Sequence, residues 1–251
     1  MRQIIAILNQ KGGVGKTTST INISAYLAKM GRSVLVVDLD PQGNATSGLG
    51  ITADTVVTAY DVLVNGQLLS GAIIDSGIEN LSIVPANADL AGAEIELVNQ
   101  VDREHRLKNA LSRADYDYII IDCPPSLGLL SINALTASDS VLIPVQAEYY
   151  ALEGLTQLLD TISRVRKSLN PNLNLLGVAV TMYDSRTSLS ENVYKELKKH
   201  FEQKLFKTVI PRNIRLAEAP SYGKSIFDHD KWSKGARSYK ALAKEIDKNV
   251  H

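Results

Sequence analysis

Hydrophobic residues along this chain gather in two alternating kinds of stretch. Short runs rich in Ile, Val, Leu and Ala occupy residues 2–8, 33–37, 81–84, 118–121, 140–145, 175–181 and 208–210. They lack the polar alternation of a half-exposed strand, so they predict strands buried on both faces. Between them, apolar positions recur at helical spacing over 17–30, 88–100, 103–113, 127–136, 152–168, 188–204 and 235–248. Ile21, Ile23, Ala25, Leu27 and Ala28 mark the first of these helices, and Gly31 stops it. Residues 51–76 favour neither state.

Buried strands alternating with helices predict an α/β fold, a mostly parallel twisted sheet with helices on both faces. Right-handed crossovers then place ligands outside the carboxyl ends of the strands. No internal repeat, low-complexity tract or Pro/Ser-rich linker interrupts the chain. A single domain over 1–251 is expected, with no helix-turn-helix domain ahead of the first strand.

Composition narrows the class. Of the 251 residues, 45% are hydrophobic and 22% charged, which supports a sizeable core and excludes intrinsic disorder. The longest apolar runs, such as 118–121, fall far short of the roughly 18 residues of a membrane span. No secretory signal pattern follows Met1, so a cytoplasmic location is expected. The single cysteine, Cys123, excludes an internal disulfide and any metal site built from several cysteines. Cys123 is expected to be a small buried residue, Trp232 a packing residue, and the four histidines share no metal-ligand spacing. Basic and acidic residues balance at 27 each, yet from Arg186 onward there are 15 basic and 8 acidic side chains. That asymmetry points to a basic surface for a polyanion, or to no more than solvated lysine-rich helix faces.

The run Lys11-Gly12-Gly13-Val14-Gly15-Lys16-Thr17-Thr18 follows the first strand and opens the first helix. This is the setting of a phosphate loop: glycines turn consecutive N–H groups toward phosphate oxygens, and the helix adds its positive end. Lys16 is expected at the β- and γ-phosphates of a nucleotide and the Thr17 hydroxyl on magnesium. Two acidic motifs sit just past apolar strands, where a nucleotide would lie. Asp122 would hold magnesium through a water, with Asp40 reaching it through another. Either Asp40 or Asp38 would orient the attacking water; the alternative for Asp38 is to cap a loop N–H. The Gly- and Pro-rich segments 41–49 and 123–129 would sense the γ-phosphate.

The loop has Gln10 where the plain phosphate-loop pattern has its first glycine, and Lys11 adds a second lysine. This deviant arrangement resembles the ParA/MinD branch of P-loop ATPases. Residues 36–44 (VVDLDPQGN), 116–125 (YDYIIIDCPP) and 210–220 (IPRNIRLAEAP) are similar to further motifs of the ParA/Soj partition ATPases. The resemblance runs over essentially the whole chain. It implies an ATP- and magnesium-dependent ATPase that dimerises on ATP, binds double-stranded DNA without reading sequence, and hydrolyses ATP when a ParB-type partner stimulates it. It favours Asp40 as the catalytic carboxylate and implies that Lys11 acts on the partner protomer's nucleotide. It also assigns Met182, Pro211 and Asn213 to the adenine, and Arg186 and Arg215 to DNA, with a nucleoid-associated location.

Three other readings have sequence requirements of their own. A MinD-like membrane-surface ATPase needs a terminal amphipathic helix, and here Tyr239, Leu242, Ala243, Ile246 and Val250 form only a modest stripe. A terminal helix docked on its own core is the better expectation. A nitrogenase-type iron protein needs more cysteines than Cys123. A non-hydrolysing scaffold is at odds with both Lys11 and Asp40.

Overall fold

In the computed structural model, which describes residues 2–53, 56–149 and 153–250, the apolar runs become one seven-stranded sheet. Its strands are β1 (Gln3–Ile7), β2 (Val34–Asp38), β3 (Ile74–Asp75), β4 (Leu81–Val84), β5 (Tyr118–Asp122), β6 (Ser140–Gln146) and β7 (Asn174–Thr181). The order across the sheet is β3-β4-β2-β5-β1-β6-β7, and every pair is parallel except β3 with β4. The first six helices are α1 (Lys16–Lys29), α2 (Asn44–Gly48), α3 (Ala59–Leu63), α4 (Leu69–Ala72), α5 (Leu90–Glu96) and α6 (Arg106–Leu111). They are followed by α7 (Leu129–Ala137), α8 (Glu153–Ser168), α9 (Ser188–Phe201), α10 (Ile214–Glu218), α11 (Ile226–Asp230) and α12 (Lys234–Val250).

Side chains alternate across each strand and so feed two separate cores. Ile4, Ala6, Leu35, Val37, Ile119 and Ile121 face one side, with Leu130 of α7, Leu158 of α8 and Leu197 of α9. Ile5, Ile7, Val34, Val36, Tyr118 and Ile120 face the other, with α1, α11 and α12. This is why the central strands read as continuous apolar runs: neither face meets water. Helix α1 is wedged between the sheet and α12, so it is buried nearly all round. Tyr239 of α12 is completely enclosed, and its hydroxyl lies 3.0 Å from Ser19 Oγ. Asp247 is joined to Arg32 and to the Tyr118 hydroxyl, which closes α12 onto the sheet. Cutting a fully buried residue such as Leu242 to Ala would cost about 2–5 kcal/mol.

The chain leaves β1 toward one side of the sheet and β5 toward the other, so a crevice opens at the carboxyl ends of these neighbouring strands. Register fixes what meets there. Ile7 and Asp122 pair across β1 and β5, and Asp38 and Asp122 pair across β2 and β5.

Several expected elements take other forms. Residues 208–210 do not form a strand. Phe206 N–H donates to Val178 O and Ile210 N–H to Val180 O, but the amides of Lys207 and Thr208 turn away to the Glu245 carboxylate on α12. The pairing survives as isolated parallel bridges of Val178 with Leu205 and of Tyr183 with Pro211. The helix expected over 188–204 ends at Phe201, where Glu202 takes a φ of 44°. That expected over 88–100 is an α-helix to Glu96 and a tighter turn over Leu97–Asn99, and 103–113 shortens to α6. Within the ambiguous 51–76 lie α3, α4 and the antiparallel edge strand β3, with Thr58 and Asp61 forming a capping box on α3. The expected start of a helix at 152 lies outside the described residues.

Candidate functional site: a nucleotide pocket at the carboxyl edge of the sheet

The loop after β1 is shaped by its glycines. Gly13 and Gly15 have φ of 73° and 87°, the left-handed region, and Gly15 is the N-cap of α1. Asn9 anchors the entry: its side-chain amide donates to Pro144 O at 2.7 Å, and its carbonyl accepts the Lys11 N–H at 3.0 Å. The Thr181 hydroxyl donates to Val14 O at 2.8 Å. The loop is thus held from both sides while its amides face a cavity of about 730 Å³. That cavity is lined by Gly12, Gly13, Gly15, Lys16, Thr17, Thr18, Asp40 and Met182, with Pro41, Gln42, Asn44, Ser47, Ala91, Pro124 to Ser126 and Pro220 completing the wall. A larger cleft of about 1050 Å³ between α9 and α12 has no phosphate loop.

Three aspartates and one lysine set the charge of the pocket. Lys16 is only 7% exposed; its ammonium donates to Lys11 O at 3.4 Å. Burial pulls Lys16 below the usual lysine range, while Asp122 and Asp40 oppose that shift. Asp122 is fully buried and accepts from the Thr20 hydroxyl at 2.9 Å. Its other oxygen, Oδ2, has no partner among the described protein atoms. Asp38, also fully buried, is saturated: Oδ2 accepts from Thr46 N at 2.9 Å and Thr46 Oγ1 at 2.8 Å, and Oδ1 from Asp40 N at 3.1 Å. The Asp40 carboxylate accepts the Gln42 N–H at 3.0 Å, and Asp40 borders the cavity. Burial pushes the Asp38 and Asp122 carboxyls up, and each is raised further by its acidic neighbours. A cluster of buried carboxyl groups, one with an unpartnered oxygen, beside a threonine-rich helix start suits a hard dication with oxygen ligands, which would favour their charged forms.

The geometry separates the two candidate water-positioning groups. Asp38 staples the 40–46 segment to the sheet, and Asp40 alone of the two is turned to the cavity.

A family described as an AAA domain matches residues 2–175. The sporulation initiation inhibitor protein Soj of Bacillus subtilis is 60% identical over 252 residues, covering 99% of this chain and 100% of its own. The chromosome partitioning protein ParA of Myxococcus xanthus is 53% identical, over 98% of this chain and 88% of its own. The chain belongs to the ParA/Soj family of partition ATPases. Among solved structures, cobyrinic acid a,c-diamide synthase from Mycobacterium smegmatis with bound ADP and magnesium superposes at a TM-score of 0.88. It is 40% identical, over 100% of this chain and 96% of its own.

Other ParA/Soj candidates are dispersed. Lys11, about half exposed, reaches the Glu148 carboxylate at 3.0 Å instead of the loop's own pocket. Gln146 and, at 3.9 Å, Arg212 meet the same carboxylate. Met182 borders the cavity with a φ of 51°. Pro211 bridges to Tyr183 beyond the end of β7 and Asn213 is the N-cap of α10, with its Oδ1 buried and unpartnered; neither lines the cavity wall. Arg186 and Arg215 are exposed on separate elements. Cys123 is buried and inert, its thiol pushed well up by burial. Sequence reasoning missed Thr20, Thr46 and Glu148. Each acts on a partner from another element, a relation that no local motif spells out.

Proposed function

We propose that this chain is a magnesium-dependent ATPase that segregates DNA, with residues 1–251 acting as one ATPase domain. The observation that carries this is the convergence of Lys16, Thr17 and Asp40 on one cavity at the end of β1, with the buried Asp122 behind it close enough to act on the Lys16 charge. The loop amides and Lys16 bind the phosphates, and Thr17 directly, with Asp122 and Asp40 through waters, would hold a magnesium ion, which would supply countercharge to the phosphates. Asp40 orients the attacking water. The protomer then dimerises on ATP, and Lys11 leaves Glu148 to act on the partner protomer's nucleotide, as a finger supplied in trans. Met182, at the cavity, and Pro211 and Asn213, outside its wall, are the residues proposed for the adenine.

The dimer binds duplex DNA through backbone phosphates at Arg186 and Arg215, and a ParB-type partner stimulates hydrolysis and release, on the nucleoid in the cell. The relatives support the partition role: Soj and ParA are named for sporulation control and chromosome partitioning. A MinD-like membrane role is less well supported, because the apolar stripe of α12 is buried against α1 and the sheet. No helix among the described residues is long and apolar enough to cross a membrane. The test is binding of the purified protein to an arbitrary duplex with ATP, with ADP and without nucleotide. Binding with ATP alone is expected; equal binding in all three overturns nucleotide gating, and no binding in any overturns the DNA role.

A further inference from the structure

Both arginines assigned to the DNA face are already gripped by carboxylates of their own chain. Arg186 presents two forked donors to Asp184: Nε to Oδ1 at 2.9 Å and Nη2 to Oδ2 at 2.7 Å. The Arg186 backbone N–H also donates to Asp184 Oδ1, at 3.0 Å. This side chain is 86% exposed, so solvent and a ligand reach it freely. Arg215 donates from Nη1 to Glu218 Oε2 at 2.9 Å, and its Nε lies 3.7 Å from Asp230 Oδ2. His229 Nε2 stands 3.7 Å from the same Glu218 oxygen. The Arg186 guanidinium holds the Asp184 carboxyl well below the usual carboxylate range, so the pair stays charged in neutral solution.

A guanidinium that grips a carboxylate with two parallel N–H groups uses the donors with which it would grip a phosphate. We propose that Asp184 at Arg186, and Glu218 with Asp230 at Arg215, act as built-in phosphate mimics that hold down the DNA affinity of a single protomer. A DNA phosphate must displace the resident carboxylate before it gains the arginine. An exposed pair of this kind holds with only a small factor, about 2–5. One protomer therefore stays below the threshold for binding, whereas two joined faces multiply their attachments on one polymer. The nucleotide need not touch DNA to control it. Of the two arginines Arg186 alone has the fork; Arg215 meets Glu218 through one donor, as a neighbour on α10, with Asp230 at 3.7 Å, and is the weaker second site. This inference rests on the reading of Arg186 and Arg215 as DNA contacts.

The test is gain of function. Asp184→Asn removes the charge but keeps an oxygen to accept the Arg186 N–H, so the local turn is preserved. Glu218→Gln does the same beside Arg215 and serves as an independent second site. Affinity for two unrelated duplexes is measured across a salt series, with and without ATP, for both variants, Arg186→Ala and the Asp184→Asn/Arg186→Ala double variant. ATP-driven dimerisation is followed alongside as the check on folding. Each neutralised carboxylate is expected to raise affinity about twofold to fivefold per protomer, and about fourfold to 25-fold in the dimer. The log–log salt slope should steepen by up to about 0.9 for each arginine set free. The gain from Asp184→Asn should vanish when Arg186 is absent, as a pairwise coupling requires. If Arg186→Ala weakens binding while Asp184→Asn and Glu218→Gln leave affinity and slope unchanged or lower them, the mimic is refuted and the DNA surface stands. If the gain persists without Arg186, it reflects general charge and the mimic is again refuted. If Arg186→Ala and Arg215→Ala change nothing, the DNA surface itself is misplaced and the inference falls with it.

Discussion

Replacing Asp38 and Asp40 separately by Ala should split stability from turnover. Asp38 is fully buried and accepts three hydrogen bonds, two from Thr46 and one from Asp40 N. Hydrogen bonds to a charged acceptor are worth roughly 1.5–3 kcal/mol each, and an abandoned buried donor bears its own desolvation cost. Against this, the variant removes a buried charge that repels Asp122, so the net cost should be about 2–4 kcal/mol. In a chain of this size about 1 kcal/mol moves the melting point by roughly 2–4 °C, so Asp38→Ala should melt about 4–16 °C lower. Asp40 accepts one hydrogen bond, from Gln42 N at 3.0 Å, at the rim of the cavity. Asp40→Ala should therefore lose only about 1.5 kcal/mol, the low end for a single bond at the cavity rim, yet lose about 100-fold or more in phosphate release, the usual contribution of a positioned proton acceptor. The assays are thermal unfolding without nucleotide and steady-state phosphate release with saturating ATP, DNA and partner. Equal destabilisation of the two variants would refute the separation. So would an Asp40→Ala protein that turns over normally while a well-folded Asp38→Ala protein does not.

Lys16→Ala should abolish ATP-dependent dimerisation and DNA binding together, because the phosphates lose their buried countercharge; light scattering and duplex binding with ATP report both, and retained gating would contradict the phosphate-loop assignment. Arg186→Ala and Arg215→Ala should each weaken binding to any duplex and lower the salt slope by at most about 0.9, with dimerisation intact; the salt titration shows it, and loss of dimerisation would instead place these arginines in the nucleotide switch. The nucleotide-free protein should lose stability as pH rises from about 4 through the neutral range, measured by urea unfolding across pH. The sign follows from burial: the Asp38 and Asp122 carboxyls hold their protons to higher pH when folded than when unfolded, so the folded state binds more protons in that window. Saturating magnesium and ATP should flatten this dependence, and a stability that rises over the same range would contradict the raised carboxyls.

Much of the architecture was legible along the chain because its causes are local. Runs such as Ile119–Ile120–Ile121 must be buried on both faces wherever they lie, and the glycines of 11–18 dictate a left-handed turn before a helix whatever packs around it. The sequence by itself thus determined the parallel sheet, the phosphate loop at the end of β1 and the acidic strand ends beside it. What it left open was settled by contacts between distant elements. Asp38 and Asp40 are two residues apart with the same chemistry; only the Thr46 hydroxyl and amide, brought over by the 40–46 turn, saturate one and leave the other facing the cavity. Residues 208–210 have the composition of a strand, but Glu245 of α12 takes the amides of Lys207 and Thr208, and no β-propensity encodes that competitor. Nothing near Lys11 in the sequence marks its contact within the chain, which β6 supplies by carrying the chain to Glu148, 137 residues further on. Periodicity reports which face of an element is buried, whereas hydrogen-bond partners across the sheet depend on where the whole chain returns, and that only the tertiary structure decides.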